Sequence, residues 1–275
     1  MCTVTFIARQ DGYALGMNRD EKLARPTALP PAQRQIDGRP VLFPSEPSGG
    51  TWIGVNDAGI SLALINWYFI SERLDGSPFS RGNIVRSGLS ARSPAAVSEA
   101  LAGLPLDRIN AFRLLGFFPT DQTVMEWRWD LKSVTQLHHL WRTNIWASSG
   151  HDEPVAQQTR GKIFNEALRQ SSSGNLNWLR RLHRSHGLQP GPYSVCMHRN
   201  GAATVSYTEV SVSRRTATMR YQAGPPCCSS PHSVYSHELQ RVESSTCRED
   251  TCNLPHTVEA RVGLQPAPRS FRIFP

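Results

Sequence analysis

MCTVTF (residues 1–6) and GMNRDE (residues 16–21) are the two stretches that decide the fold of this chain. The first begins a β-branched and aromatic run, and Asp11-Gly12 between the two is a strong hairpin turn signal. An apolar run then resumes over residues 13–17. We therefore predict a tight β-hairpin that brings the second stretch back beside the first.

Cys2 directly follows Met1, and a small side chain at that position is what methionine removal requires. We expect the mature chain to begin with Cys2, so that one residue holds a thiol and a free α-amine. An α-amine has a pKa of about 8 and a thiol one of about 8.5, so the amine can act as general base for its own side chain. Cys2 is therefore the predicted nucleophile.

Asp20 and Arg19 are the predicted partners of Cys2 in the hairpin. We expect Asp20 to hydrogen-bond or orient the α-amine, and Arg19 to lower the thiol pKa and attract an acidic substrate group. The alternative is structural: Cys2 is then a small buried apolar residue, and Arg19 and Asp20 form an ordinary surface ion pair.

Cys2 and GMNRDE, followed by GGTWIGVN (residues 49–56), resemble the NRDE family, also called the transport and Golgi organisation family. More distantly, the chain is similar to the N-terminal nucleophile (Ntn) cysteine hydrolases, which include bile salt hydrolase, penicillin V acylase and the isopenicillin acyltransferases. The resemblance runs from Cys2 to about Cys227. It implies an α+β fold, a four-layer αββα sandwich of two antiparallel sheets.

The chain has 275 residues and is 39% hydrophobic, which suffices for one substantial core. We expect one domain over residues 1–227. Residues 228–275 are rich in Ser, Pro, Thr, His and Arg, which predicts a mostly disordered tail. No apolar run approaches the roughly 20 residues of a membrane-spanning helix, and no secretory signal is evident, so we expect a cytoplasmic protein.

The formal net charge of +8 comes almost entirely from scattered arginines, because only three lysines occur in the chain, at positions 22, 132 and 162. A nucleic-acid-binding protein would present a continuous basic face, so no nucleic-acid partner is expected. Four of the six cysteines lie in the last fifth of the chain, and none forms a C-x-x-C pair. We predict no metal and no cofactor. The alternative is a zinc site among these four cysteines, with His232 or His237 as the fourth ligand.

The remaining elements follow from periodicity and turn signals. Two apolar strands over 51–55 and 60–65 lack polar alternation, as expected for a sheet covered on both faces. The proline-rich segment 22–31 is predicted as a loop. Helices are expected within 80–104 (two of them), over 154–170 and over 176–186. Further strands are expected over 112–118, 124–130, 134–141, 193–197, 203–212 and 216–221.

Asn66 ends the second of those apolar strands, where the resemblance to the amide hydrolases implies an oxyanion-hole donor. In the loop where many relatives carry a catalytic-type asparagine, the corresponding residue is Ser148. Its hydroxyl can donate a hydrogen bond but reaches less far than an asparagine amide. Asn18, Arg25, His198 and Arg199 are weaker candidates for contacting substrate.

Two functions are compatible with the resemblance. The first is an amidohydrolase or acyltransferase in which Cys2 forms a thioester with a small acylated substrate. The second is a non-enzymatic protein that binds or moves haem, a lipid or acyl-CoA. Met17 stands where the bile salt hydrolase group usually has an arginine, so the substrates of that group are not assumed. The oligomeric state is left open.

Overall fold

In the computed structural model, residues 2–75, 79–228 and 234–242 are described. The strands in chain order are β1 (Cys2–Arg9), β2 (Gly12–Lys22), β3 (Leu29–Ile36), β4 (Arg39–Ser45), β5 (Ile53–Asn56), β6 (Ser61–Asn66), β7 (Phe112–Phe118), β8 (Thr123–Trp129), β9 (Val134–His139), β10 (Asn144–Ser148), β11 (His198–Arg199), β12 (Ala202–Val212), β13 (Thr216–Ala223) and β14 (Val234–Gln240). The helices are α1 (Gly82–Gly88), α2 (Pro94–Ala102), α3 (Glu153–Leu168) and α4 (Leu176–Arg184).

These strands form two antiparallel sheets. The first has the order β10-β1-β2-β12-β13-β14, with β11 paired to β12 at its side. The second runs from β3 to β9 in chain order. Sequence-neighbouring strands therefore build the second sheet, whereas the first sheet assembles strands from both ends of the chain.

A shared apolar core lies between the sheets, and the helices cover their outer faces. Phe6 of β1 stacks on Phe117 of β7 across this core, with ring centroids 5.1 Å apart. Helices α1 and α2 pack on the second sheet, while α3 and α4 pack on the first. The predicted α+β, four-layer αββα sandwich is confirmed.

The strand β1 shows why polar alternation is weak in the sequence. Val4 and Phe6 enter the core between the sheets, whereas Thr3 and Thr5 face the helices and are also fully buried. Successive side chains of a strand point to opposite faces, and here both faces are covered. The threonine hydroxyls are satisfied by hydrogen bonds to helical side chains.

The proline-rich segment is only partly a loop, because its last residues begin β3. Pro30 and Pro31 lie in this strand, at the edge of the second sheet. Proline cannot donate to a ladder, but an edge strand has one unpaired side that tolerates it. The register with β4 also shifts between Leu29 and Ala32, where the prolines lie. Both β3 and β4 are absent from the sequence prediction.

The strand expected over 193–197 does not form. The backbone of this segment forms turns and bends, and only His198–Arg199 pair with β12 in a short ladder. The backbone of this segment bonds locally instead: Cys196 N donates to Ser185 O at 2.9 Å. Pro190 and Pro192 precede it, and each lacks the N–H that a regular ladder needs.

Part of the expected disordered tail is ordered as β14. This strand pairs with β13 along its whole length, and Leu239 enters the core between the sheets. Its polar, histidine-containing sequence lacks a strand signal because most of its side chains are exposed at the sheet edge. Residues 229–233 and 243–275 lie outside the described residues.

Among the described helices, none combines the length and apolarity needed to cross a membrane.

Candidate active site

Cys2 is the first residue of β1 and lies between two neighbouring strands. It is opposite Arg19 of β2 on one side and Ser148 of β10 on the other. Its backbone N–H donates to Ser148 Oγ at 3.1 Å. The residue is 7% exposed and borders the core between the sheets. The hairpin register predicted from the sequence is therefore observed, and Ser148 holds the nitrogen of Cys2.

The environment of the Cys2 thiol raises its pKa. Burial is the main cause, and the nearby Asp20 carboxylate adds to it. The positive charge at the start of the chain, the Arg19 guanidinium and a hydrogen bond from the backbone N–H of Asp20 act in the opposite direction but do not offset burial. The thiol is therefore protonated at neutral pH and needs a base to become a nucleophile.

The side chain of Asp20 lies on the helical side of the sheet. Its Oδ1 accepts from Thr204 Oγ1 at 2.7 Å, and its Oδ2 is 3.2 Å from Arg160 Nη2 in an ion contact. Both charged side chains are fully buried. Asp20 was expected to bond the nitrogen of Cys2, but that nitrogen donates to Ser148.

Arg160 of α3 connects Asp20 to the nucleophile indirectly. Its Nη1 donates to Thr3 Oγ1 at 2.8 Å and lies 3.5 Å from the carbonyl oxygen of Cys2. Sequence reasoning missed this arginine, since α3 reads as an amphipathic covering helix. The signal was present in its pattern: Arg160 is a cation on the same face as Ala156 and Phe164, which are both buried.

Arg19 lies next to Cys2 in a small network of charges. Its Nη2 is 2.5 Å from Glu46 Oε1 and 3.5 Å from Glu21 Oε2. The guanidinium also stacks over the Trp52 ring at 4.6 Å. Arg25, half exposed, reaches the same Glu46 oxygen at 3.1 Å. The network orients Arg19 and leaves Arg25 at the protein surface.

Asn66 is the last residue of β6, and Tyr68 follows it by two residues. Asn66 Nδ2 donates to the Tyr68 hydroxyl at 2.8 Å. Burial opposes ionisation of the Tyr68 phenol. Three effects act in the other direction and together lower its pKa: the positive charge at the start of the chain, the Asn66 hydrogen bond and the Arg81 charge. A Cys2 thiolate would raise the Tyr68 pKa. A charge on Cys2 would therefore shift the Tyr68 pKa, and Tyr68 is a candidate site residue that the sequence did not reveal.

A cavity of about 260 Å³ opens beside Arg19, and Cys2, Asn66 and Tyr68 are not among its lining residues. Its lining residues include Arg19, Arg25 and Thr204. A larger cavity of about 1050 Å³ lies among α3, α4 and the segment after α4, and none of the predicted site residues lines it. We regard the smaller cavity as the candidate binding site, since Arg19 is the sheet neighbour of Cys2.

The family model for Transport and Golgi organisation 2 matches residues 1–139, which is half of the chain. This chain belongs to the Transport and Golgi organisation 2 family. The matched part contains Cys2, Arg19, Asp20, Asn66 and Tyr68, whereas Ser148, Arg160 and Thr204 follow it.

Solved structures with a similar fold include a penicillin V acylase from Agrobacterium tumefaciens. It is 10% identical, with a TM-score of 0.47, over 81% of this chain and 83% of that one. A mutant conjugated bile acid hydrolase from Clostridium perfringens is likewise 10% identical, with a TM-score of 0.46, over 86% of this chain and 96% of that one. No match was found among curated protein sequences.

Three weaker candidates lie apart from Cys2 in this member of the Transport and Golgi organisation 2 family. Asn18 Nδ2 donates to the backbone carbonyls of His183 and Val195, so its amide bridges α4 and a later segment. His198 Nε2 is 3.3 Å from Cys227 Sγ. Arg199 lies opposite Ala202 in the β11–β12 ladder. The site is therefore built around Cys2, Arg19, Asn66 and Tyr68, with Ser148, Asp20 and Arg160 behind them.

Proposed function

We propose that this chain is an N-terminal-cysteine amidohydrolase or acyltransferase that acts on a small acylated substrate through a thioester. The observation that supports this most is the placement of Cys2. Its nitrogen is held by Ser148 Oγ, and its thiol lies beside Arg19 and the backbone N–H of Asp20. Removal of Met1 would turn that held nitrogen into an α-amine within reach of the thiol.

The proposed reaction begins with proton transfer from the Cys2 thiol to the α-amine. The thiolate attacks the substrate carbonyl carbon, and the tetrahedral intermediate collapses by expelling the leaving group, which takes the proton from the α-ammonium. Water or an acceptor amine then attacks the thioester while the α-amine removes its proton. Release of the acid or the new amide regenerates the thiol. A raised thiol pKa in the resting site makes this internal base necessary.

Asn66 and Tyr68 are the proposed donors to the tetrahedral oxyanion. One Asn66 amide hydrogen is used by the Tyr68 hydroxyl, which leaves the second amide hydrogen and the phenol hydrogen to donate. Removing one such donor from other enzymes costs about 2.7–4 kcal/mol. The held side chains need little reorganisation when the oxyanion forms.

The charges around the cavity favour a substrate that carries an anionic group. Among the described residues that line the cavity, Arg19, Lys22 and Arg25 carry positive charges and Glu21 carries a negative one. Glu46, which contacts both Arg19 and Arg25, adds a second negative charge, so the excess is one positive charge. Such an excess concentrates acidic ligands at the mouth of a cleft.

The experiment compares wild type with Cys2→Ala on a panel of N-acyl amides and acyl-CoA esters, in pairs with and without an acidic group. Intact mass first establishes that Met1 is removed. Wild type should turn over the acidic members, and Cys2→Ala should lose at least about 10³-fold in kcat/KM. Cys228→Ala, which changes an exposed cysteine, is the matched control and should keep wild-type activity.

A glycine inserted between Met1 and Cys2 separates the thiol from the α-amine. After methionine removal, the inserted glycine carries the free amine and Cys2 keeps only its thiol. This variant should bind substrate but lose turnover. Turnover by the glycine-insertion variant would contradict the amine as base. Binding of an acyl ligand with no turnover by wild type, and no acyl adduct on Cys2 by mass spectrometry, would instead favour the binding-only function.

A further inference from the structure

Four potential metal ligands from three separate segments converge near the end of α4. His186 follows this helix, Cys196 and His198 lie at the start of β11, and Cys227 lies in the short 3-10 turn between β13 and β14. One ligand atom from each of the four side chains lies within 4.8 Å of all the others. We propose that His186, Cys196, His198 and Cys227 bind one zinc ion.

The distances within this cluster fit tetrahedral zinc. Zn–S bonds of about 2.3 Å and Zn–N bonds of about 2.0–2.1 Å place sulfur and nitrogen ligands roughly 3.5 Å apart. His198 Nε2 is 3.3 Å from Cys227 Sγ and 3.6 Å from Cys196 Sγ. The His186 and His198 rings are 5.1 Å apart and inclined at 69°, so their edges can point at one centre. Small side-chain rotations would complete the tetrahedron.

His186 supplies an independent indication of a ligand. Its Nε2 is shielded from solvent and has no hydrogen-bond partner among the described residues. A buried imidazole nitrogen without a partner is costly, and a metal ion would satisfy it.

The backbone holds the ligands in place before any metal binds. Cys196 N donates to Ser185 O at 2.9 Å, and His198 N donates to Gly191 O at 3.1 Å. Ser194 Oγ donates to the carbonyl oxygen of His186 at 3.0 Å. This preorganisation lowers the entropy that a metal ion would have to remove on binding.

The donor set decides which metal fits and what it would do. Two thiolates and two imidazoles suit zinc rather than magnesium or calcium, which prefer oxygen ligands. Two thiolates also neutralise the double charge of the ion. Four protein ligands close the coordination sphere, which is typical of a structural zinc site rather than a catalytic one.

The zinc site would also stabilise the position of Asp20. Met197, between two of the ligands, donates its backbone N–H to Thr204 Oγ1 at 2.8 Å. Thr204 Oγ1 in turn donates to Asp20 Oδ1 at 2.7 Å. Bound metal would thus fix the segment that holds this carboxylate, although the proposal does not depend on the function assigned to Cys2.

Metal analysis of the full chain, purified without chelator and reconstituted with zinc under reducing conditions, tests the site. We expect about one zinc per chain. Replacement by Co²⁺ should give the intense visible bands of a tetrahedral site and a thiolate-to-cobalt charge-transfer band. Cys227→Ser should weaken zinc affinity by at least 10–100-fold, which is roughly the loss seen when a residue that only hydrogen-bonds to a metal ligand is removed. Cys228→Ser removes the neighbouring exposed thiol and should bind zinc like wild type.

His198→Ala provides a second ligand variant in case Cys227→Ser fails to fold, which circular dichroism would reveal. Loss of the cobalt bands in the ligand variants, with the bands retained in Cys228→Ser, supports the site. Zinc stoichiometry near zero after reconstitution overturns it, as does equal affinity in wild type and the ligand variants. A Cys196–Cys227 disulfide that persists under reducing conditions would also overturn it.

Discussion

His183 is a fully buried histidine on α4 that packs against β1 and β2. Its Nε2 is 3.0 Å from Thr5 Oγ1, and burial together with the nearby Arg160 charge lowers its pKa to about 3. The folded chain therefore keeps this imidazole neutral at pH values where the unfolded chain, with a pKa of 6.5, takes up a proton. Stability is fully present above pH 6.5 and falls as the pH decreases towards 3.

We predict that His183→Gln flattens the pH dependence of the free energy of unfolding. In wild type, protonation linked to His183 should lower the free energy of unfolding by about 3 kcal/mol as the pH falls from 6.5 to about 4. Urea denaturation at a series of pH values measures the slope. His138→Gln, at an exposed position on β9, is the matched control and should keep the wild-type slope. An unchanged slope in His183→Gln would assign the acid sensitivity to other groups.

Glu126 on β8 is a fully buried carboxylate with three basic partners. Arg113, Arg128 and His139 lie 2.5, 2.7 and 2.7 Å from its oxygens. Burial would raise its pKa, but the hydrogen bonds and charges of the two arginines lower it to about 2. This carboxylate therefore stabilises the fold above pH 4.5, and the contribution is lost as the pH falls through about 2.

Glu126→Gln should destabilise the chain by about 3–5 kcal/mol at neutral pH, because it leaves the buried Arg113 guanidinium without its counter-charge. The loss should shrink below pH 4.5, where the unfolded chain takes up a proton on Glu126 that the folded wild-type chain excludes down to about pH 2. Thermal unfolding at neutral and acidic pH measures both effects. Glu238→Gln, exposed on β14, should leave stability within about 0.5 kcal/mol of wild type. A loss that stays constant with pH would rule out the charge explanation.

At the scale of elements, α4 approaches β2 closely because Gly16 has no side chain. A Cβ there would lie 2.7 Å from His183 Nε2 and 3.0 Å from Leu179 Cδ1. Both contacts belong to the buried face of α4, so neither neighbour can move into solvent. Gly16 therefore sets the distance between this helix and the strand that carries Arg19 and Asp20.

Gly16→Ala should cost about 1–3 kcal/mol of unfolding free energy through overpacking. Gly161→Ala is the matched control, since a Cβ at Gly161 in α3 meets nothing within 4 Å. Alanine favours a helix interior over glycine, so this control should gain about 0.5–1 kcal/mol. Chemical denaturation of both variants measures the two opposite shifts. If both variants changed the free energy of unfolding equally, the close approach of α4 to Gly16 would not be the cause of the effect.

The hairpin and the site show which elements a sequence can predict. The β1–β2 pairing is local, so the turn at Asp11-Gly12 and the apolar periodicity suffice to place Arg19 opposite Cys2. Ser148 and Arg160 contact Cys2 from 146 and 158 residues away, and those contacts depend on how the whole first sheet assembles. The resemblance indicated Ser148. Arg160 left one local signal, a cation on the buried face of α3, and no local pattern indicated Tyr68.

Two edge strands, β3 and β14, were missed for a related reason, whereas the edge strand β9 was predicted. β3 contains two prolines, and β14 exposes most of its side chains, so neither shows the alternation of a half-buried strand. Their pairing partners, β4 and β13, determine that they are strands. Central strands such as β7, buried at every residue, were predicted within the observed bounds. Burial on both faces leaves a strong signal in a strand without proline. The buried β4, which is paired on both sides but contains Pro40 and Pro44, was missed.

At the scale of the whole molecule, β14 connects the two sheets at one side of the sandwich. It pairs with β13 from Gln222 to Thr216, and Leu239 is 2% exposed in the shared core. Just beyond it, Val242 N donates to Asp57 O at 3.0 Å in the turn between β5 and β6 of the second sheet. The folded part of the chain therefore extends past residue 227.

A chain ending at residue 227 should be less stable than one ending at residue 242. The shorter chain loses Leu239 from the core, at a cost of about 2–5 kcal/mol, and leaves β13 as an unpaired edge. An unpaired edge is a template for aggregation, so the shorter chain should also form higher oligomers. Thermal unfolding and light scattering of the two chains measure these effects. If the chain ending at residue 227 were as stable and monodisperse as the longer one, β14 would be dispensable, and the domain would end where the periodicity fades.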